Sequence, residues 1–256
     1  MTARALRLGL TLTAFTLAVA ACGQSTAPPP AAAPSGKKVD AATAGSVSGK
    51  VTFSGPRPAV ELLKVTSDPA CVQGHGPTPA SEAVVISNDG GLKNVFVYVK
   101  DGLDPNYAFD VPTNPVELDQ QACQYEPRVL GVRVGQPIEL LNGDPTFHNV
   151  HALPQTNQEF NQSLSGRGSR LRRTFTAPEV MVRFKCDVHA WMTAYVGVVT
   201  HPFFAVSAAD GSFSLAGLPP GTYTLEAWHE RFGTRTATVT IAANQAQTAS
   251  FAFAKE

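Results

Sequence analysis

Hydrophobic and polar residues alternate along several short stretches of the chain, the pattern of β-strands that bury one face. The first stretch ends at Ser54-Gly55-Pro56, a turn signal. No stretch shows sustained helical periodicity, so we predict an all-β protein. The predicted strands are 47–53, 92–99, 129–134, 138–141, 180–184 and 195–200.

The composition supports this reading and excludes one class of partner. Hydrophobic residues make up 43% of the 256 residues and charged residues only 16%, with 21 Gly and 20 Pro, which suits short strands and tight turns. Lys plus Arg and Asp plus Glu are 20 each, so there is no basic surplus and we predict no nucleic-acid binding. The local basic run at 167–173 is interpreted as a solvated loop.

The N-terminal residues have the pattern of an export signal. Arg4 and Arg7 precede an apolar stretch at 8–18 that is too short to span a membrane permanently. The Val-Ala-Ala-Cys run ending at Cys22 resembles the bacterial lipobox, which implies cleavage before Cys22 and acylation of its thiol. Residues 1–22 are therefore predicted to be a lipoprotein signal peptide, with Cys22 as the membrane anchor. An ordinary secretory signal is the alternative.

The export signal fixes the compartment only in part. We expect a cell-envelope lipoprotein, periplasmic or on the cell surface, with the choice of inner or outer membrane left open by the sequence. Residues 23–45 are mostly Ala, Pro, Ser, Thr and Gly, a composition that cannot bury a core. They are predicted to form a disordered tether.

Three cysteines remain after Cys22. An odd number in an oxidising compartment leaves one thiol free if two form a bond. We pair Cys71 with Cys123, because Cys186 lies in a sequence context that needs a thiolate. The alternative is that no disulfide forms.

The last part of the chain has a family signature. DGSFSLAGLPPGTYTLEAWHE at 210–230 resembles the carboxypeptidase regulatory-like (transthyretin-like or prealbumin-like) β-sandwich. SVSGKVTFSG at 46–55 resembles the opening strand of that family, and GGLKNVFVYVK at 90–100 its next strand. The resemblance implies one sandwich made of 46–110 and 201–256, with 111–200 inserted between its two parts. A simple tandem of two domains is the alternative.

The inserted segment holds the densest group of soft metal donors. Cys186, His189 and Met192 follow one another at three-residue intervals, and His148 lies 38 residues before the cysteine. Two His, one Cys and a weak Met are the ligands of a blue-copper electron-transfer centre. We therefore predict one mononuclear copper ion, although the same residues could be core and surface side chains without a metal.

The sequence around these donors resembles the cupredoxin family, which implies a Greek-key β-sandwich for 111–200. The resemblance rests on VRVGQPIELLN at 132–142, on the N-x-D-x-x-x-H-N run that follows, and on the Cys-loop-His-loop-Met segment. It implies strong ligation by His148, Cys186 and His189, weak axial ligation by Met192, and a hydrogen bond from Asn149 to the cysteine loop. Only two residues separate the second histidine from the methionine, fewer than the family commonly has, which leaves the axial ligand open.

The other candidate residues carry weaker signals. His151 is expected to face away from His148, as an exposed edge or an alternative ligand. His75 is expected in a surface loop, and His201 and His229 on sandwich surfaces. Trp191 beside the cysteine loop could shield the metal, dock a partner or simply pack the loop.

A carrier is the function that these residues favour. If the protein supplies all four copper ligands, no open position remains for a substrate, so we expect no enzyme and no small-molecule substrate. The leading hypothesis is electron transfer between redox proteins such as cytochromes. The alternatives are a non-redox module that binds protein or carbohydrate, and a copper-trafficking protein.

Overall fold

The computed structural model describes residues 36–255, which belong to one compact unit. The predicted signal peptide, the lipidation site at Cys22 and residues 23–35 of the predicted tether lie outside the described residues. At its other end the tether prediction departs from the structure. Lys37 N–H donates to Asn106 O at 2.8 Å and Ala108 N–H donates to Lys37 O at 2.9 Å, so the chain is ordered there.

The all-β prediction is confirmed by sixteen strands and one short helix among the described residues. In chain order the elements are β1 (Gly45–Ser54), α1 (Pro69–His75), β2 (Phe96–Asp101), β3 (Val116–Gln121), β4 (Gln124–Glu126), β5 (Val129–Arg133), β6 (Pro137–Asn142), β7 (His148–Leu153), β8 (Phe160–Leu164), β9 (Arg170–Thr174), β10 (Glu179–Lys185), β11 (Thr193–Val199), β12 (Phe204–Val206), β13 (Ser212–Leu218), β14 (Gly221–His229), β15 (Gly233–Ile241) and β16 (Ala246–Ala254).

Strands from the beginning and the end of the chain share two sheets, which together are called the outer sandwich below. One sheet has the order β13-β1-β16 and the other has the order β12-β2-β14-β15. Strand β1 runs parallel to β16 and antiparallel to β13, between its two neighbours. Its buried side chains Val47, Val51 and Phe53 pack in one core with Leu225 and Phe251.

The strands between β2 and β12, called the central strands below, form two further sheets, the central sheets. Their orders are β5-β11-β10-β7-β8 and β4-β3-β6-β9. They enclose a second core that contains Val132, Leu140 and Phe184. Val65 and Cys71, which precede β2 in the chain, also belong to this second core. The segment that carries α1 therefore packs on the central strands, although the sequence had assigned it to the outer sandwich.

Two glycines that lie side by side on neighbouring strands let the central sheets approach the outer sandwich closely. Gly131 and Gly197 are register partners on β5 and β11. A Cβ atom on Gly197 would lie 2.5 Å from the Phe96 ring, and one on Gly131 would lie 2.4 Å from the Phe204 ring. Because side chains at these positions would collide with the aromatic rings, the glycines are required by packing.

A largely buried ion pair joins the same two regions. Arg128, just before β5, donates from Nε and Nη2 to the two carboxylate oxygens of Glu230 at 2.5 and 2.9 Å. Both side chains are at most 10% exposed. No helix among residues 36–255 has the length and apolar character needed to cross a membrane.

Candidate metal centre

The predicted donors are brought together by two strand ends and one turn. His148 is the first residue of β7, while Cys186 directly follows β10. His189 and Met192 lie in the turn that leads from β10 into β11. Met192 N–H donates to His189 O at 2.9 Å, and Cys186 N–H to Met192 O at 3.4 Å, so main-chain bonds close this turn.

Three donor atoms converge inside the protein. His148 Nδ1 lies 2.9 Å from His189 Nδ1. Cys186 Sγ lies 3.9 Å from His148 Nδ1 and 3.8 Å from His189 Nδ1. The three side chains are no more than 2% exposed. Two imidazoles and a thiol that point at one another in this way fit a borderline or soft transition metal such as copper or zinc.

The electrostatics of the cluster favour a cation. Burial raises the pKa of Cys186, but hydrogen bonds with His148 and His189 outweigh it and lower the value to about 5. Burial lowers the pKa of His148, but Asp144 and Cys186 outweigh it and raise the value to about 9. Without a metal, the thiolate is therefore balanced by a proton on His148. A metal cation bound by the three donors would replace that proton. The charge of the cluster therefore suits the copper or zinc ion that its donor atoms imply.

Asn149 and Met192 are the two remaining residues of the predicted site. The Asn149 side-chain oxygen accepts a hydrogen bond from Asp187 N–H at 2.7 Å and lies 3.3 Å from Cys186 Sγ. Asn149 therefore contacts both the sulfur and the backbone of the cysteine loop. Met192 is buried in the same core as Cys186.

Two aspartates that the sequence reasoning missed hold the outer nitrogens of the histidines. His148 Nε2 lies 2.9 Å from Asp144 Oδ2, and His189 Nε2 lies 3.3 Å from Asp68 Oδ2. Burial raises the pKa of Asp144, but hydrogen bonds from His148 and two backbone amides outweigh it, so the value is lowered. The pKa of Asp68 is also lowered, chiefly by a hydrogen bond from Thr146. Both carboxylates are thus charged at neutral pH.

The helix α1 covers the His189 side of the cluster. Asp68 is its N-cap and accepts a hydrogen bond from Ala70 N–H at 2.8 Å. Cys71, in the first turn, is joined to Cys123 by a disulfide bond, the pairing chosen from the sequence. Trp191 Nε1–H donates to Cys123 O at 2.9 Å, and its ring centroid lies 5.1 Å from that of His189. The helix, the disulfide and Trp191 together shield His189 from solvent.

The other histidines lie outside the cluster. His151 Nδ1 contacts Asp187 at 3.0 Å and His151 Nε2 contacts Glu159 at 2.8 Å, while His75 is exposed. The surface positions predicted for His201 and His229 are wrong. Both side chains are buried. His201 Nε2–H donates to Val99 O at 2.8 Å, and the His229 ring stacks on the Phe232 ring.

The fold and the site define an all-β protein with a buried His/Cys/His cluster that could hold a metal. Part of the chain also matches a known family. Residues 193–254 match the carboxypeptidase regulatory-like domain, which confirms the resemblance seen in the last part of the sequence. The match begins at the first residue of β11 and does not extend to the strands near 46–110.

Solved structures similar to the chain include copper proteins. A copper-containing nitrite reductase from Thermus scotoductus SA-01 is 25% identical with a TM-score of 0.32, over 38% of this chain and 25% of that one. A purple cupredoxin from Nitrosopumilus maritimus is 21% identical with a TM-score of 0.28, over 32% and 98%. A reduced amicyanin variant is 23% identical with a TM-score of 0.31, over 34% and 85%.

The chain thus spans a quarter of the length of that nitrite reductase. No curated protein matches the sequence.

Proposed function

We propose that this protein binds one copper ion at His148, Cys186 and His189 and passes single electrons between redox partners. The observation that carries the proposal is the convergence of the three donor atoms, with Cys186 Sγ less than 4 Å from both Nδ1 atoms. Copper held by a thiolate and imidazoles cycles between Cu(I) and Cu(II), which is a one-electron exchange.

The residues around the donors suit this chemistry. A low pKa keeps Cys186 in the thiolate form that a metal needs. The ring positions are fixed by buried hydrogen bonds, so little rearrangement accompanies a change of charge. Met192, buried on the same turn, is the axial ligand in this proposal, and Asn149 holds the cysteine loop.

The burial of the cluster favours a carrier over an enzyme. His148, Cys186 and His189 are at most 2% exposed, so a substrate has no direct path to the donors. An electron needs no such path. Phe147 and Val188, each just before a ligand histidine, are 43% and 51% exposed. We propose that these apolar side chains contact a protein redox partner such as a cytochrome.

The proposed setting is the cell envelope. Acylation of Cys22 would anchor the protein to a membrane after export, with the redox partners in the same compartment. Membrane tethering confines carrier and partner to one surface, which raises their effective concentration.

Copper reconstitution tests the proposal. The purified protein loaded with Cu(II) should bind one ion and show an intense thiolate-to-copper absorption band in visible light. His148→Ala and Cys186→Ser should lose the band. The matched control is His151→Ala, which removes an imidazole from the same strand, three residues on, and should keep it. A colourless wild-type protein without tightly bound copper would refute the proposal.

Copper trafficking is a second candidate because it uses the same donors. A trafficking protein must release copper readily to an acceptor. Competition with a Cu(I) chelator separates the two functions. The closed site predicts slow release and stable redox cycling, whereas rapid transfer of the ion would favour trafficking.

A non-redox binding module is a third candidate, favoured by the regulatory-like match and by a groove on the outer sandwich. The groove has a volume of about 790 Å³ and is lined by Arg57, Glu61, Arg231 and Phe232, among other residues. Binding of a polysaccharide or a protein that persists in His148→Ala would support this role.

A further inference from the structure

Both histidines of the metal centre are held from behind by a carboxylate. The inner Nδ1 atoms face each other and Cys186, while the outer Nε2 atoms face Asp144 and Asp68. We propose that Asp68 and Asp144 are positioning residues that fix the two imidazoles and lower the reduction potential of copper bound between them. The inference rests on the proposed function and adds to it which residues set the reduction potential.

Asp144 is fixed by the backbone around it. Its carboxylate accepts hydrogen bonds from Ala122 N–H at 2.6 Å and Cys123 N–H at 2.8 Å. Its own N–H donates to the side-chain oxygen of Asn142 at 2.9 Å. Because the carboxylate can only accept, His148 Nε2 must carry the hydrogen of the bond between them. The Nδ1 lone pair of His148 is then the one available to a metal.

Asp68 reaches the centre from a distant part of the chain. It lies 121 residues before His189 and is carried there by α1. Its Oδ1 accepts the Ala70 amide of the helix, and its Oδ2 accepts the Thr146 hydroxyl at 2.6 Å as well as His189 Nε2–H at 3.3 Å. His189 thereby presents Nδ1 to the cluster, in the same sense as His148.

The effect on the potential follows from charge. A carboxylate that accepts the outer N–H makes an imidazole more basic and a better electron donor. The negative charges of buried Asp144 and partly exposed Asp68 stabilise Cu(II) more than Cu(I), because the interaction grows with the charge of the ion and is only partly screened by solvent at this depth. Removing either charge should therefore favour Cu(I) and raise the potential.

Asp68→Asn is the cleanest test. Asparagine remains a good N-cap, so α1 should persist while the charge is lost. We expect the ratio of Cu(II) to Cu(I) affinity to fall about tenfold, a rise in midpoint potential of about 59 mV for one electron. Asp144→Asn should shift it in the same direction. The matched control is Asp104→Asn, because Asp104 accepts the amide two residues on, from Asn106 at 2.9 Å, and has no histidine partner.

A second readout needs no copper. In the zinc-loaded protein, nuclear magnetic resonance should show slow solvent exchange of Nε2–H on both histidines. Asp68→Asn should speed exchange at His189 alone, and Asp144→Asn at His148 alone. Unchanged exchange and an unchanged potential in variants that still bind metal would overturn the inference. Protected Nε2–H in a protein that forms no coloured copper complex would support positioning while refuting electron transfer and the effect on potential.

Discussion

Removing the bond between Cys71 and Cys123 should destabilise the whole protein and loosen the cover of the His/Cys/His cluster. The double variant Cys71→Ala/Cys123→Ala deletes a cross-link between residues 52 positions apart in the chain. Both sulfurs are fully buried in the core that also holds Cys186. The bond joins α1 to the loop between β3 and β4, so it ties the helix that carries Asp68 to the central sheets.

The size of the effect follows from the length of the closed loop. A cross-link that closes a loop of this length restricts the unfolded chain by about 4 kcal/mol at 25 °C. The two missing sulfurs add the smaller cost of lost packing. This total is a large part of the stability of an ordinary domain.

Urea unfolding of the metal-free protein measures this loss. The midpoint should fall markedly in the double variant and in the wild type treated with a thiol reductant. The control is Cys186→Ala, which deletes a buried sulfur without opening a loop. If the double variant lost no more free energy of unfolding per sulfur than this control, the reasoning from loop closure would be wrong.

Three further predictions concern other side chains of low exposure. Burial lowers the pKa of His229 from 6.5 to about 4. The neutral ring therefore contributes about 3 kcal/mol of stability that is complete above pH 6.5 and is lost as the pH falls towards 4. In urea titrations His229→Asn should flatten this pH dependence, whereas His75→Asn should not. Glu230→Gln leaves the largely buried guanidinium of Arg128 without its counter-charge and should cost about 3 kcal/mol of unfolding free energy. A loss below about 1 kcal/mol would contradict this. Met192→Leu keeps the apolar volume and should change stability by less than about 1.5 kcal/mol, while the copper spectrum shifts; an unchanged spectrum would exclude Met192 as a ligand.

The strands that could be predicted from the sequence are those with one apolar face. Alternation in 129–134 and 138–141 reflects side chains that enter the core, and both strands form there. Strand β8 (Phe160–Leu164) has a polar middle and β9 (Arg170–Thr174) is largely exposed, so neither has a buried face for the pattern to reveal. The seven residues of α1 are too few to show helical periodicity. Its only local signal is the Asp-Pro pair at its start, an N-cap followed by proline.

The donor cluster was predictable where its residues are close in the chain. Cys186, His189 and Met192 lie on one turn, so their spacing in the chain is also their spacing in the fold. His148 could be added because the motif around it is recognisable. Asp68 could not, since the sequence does not say which distant loop will cover a site. Asp144 lies inside the recognised motif, but the position of its carboxylate depends on backbone amides near Cys123.

The pairing of β1 with β16 bears on how the protein is made. These strands run side by side from Ser46 with Ala246 to Ser54 with Ala254, a separation of 200 residues along the chain. Contacts this distant in sequence form slowly, and β16 follows every strand of the central sheets in the order of synthesis. The central sheets can pair beforehand, so the nascent chain should acquire its donor cluster first and close the outer sandwich last.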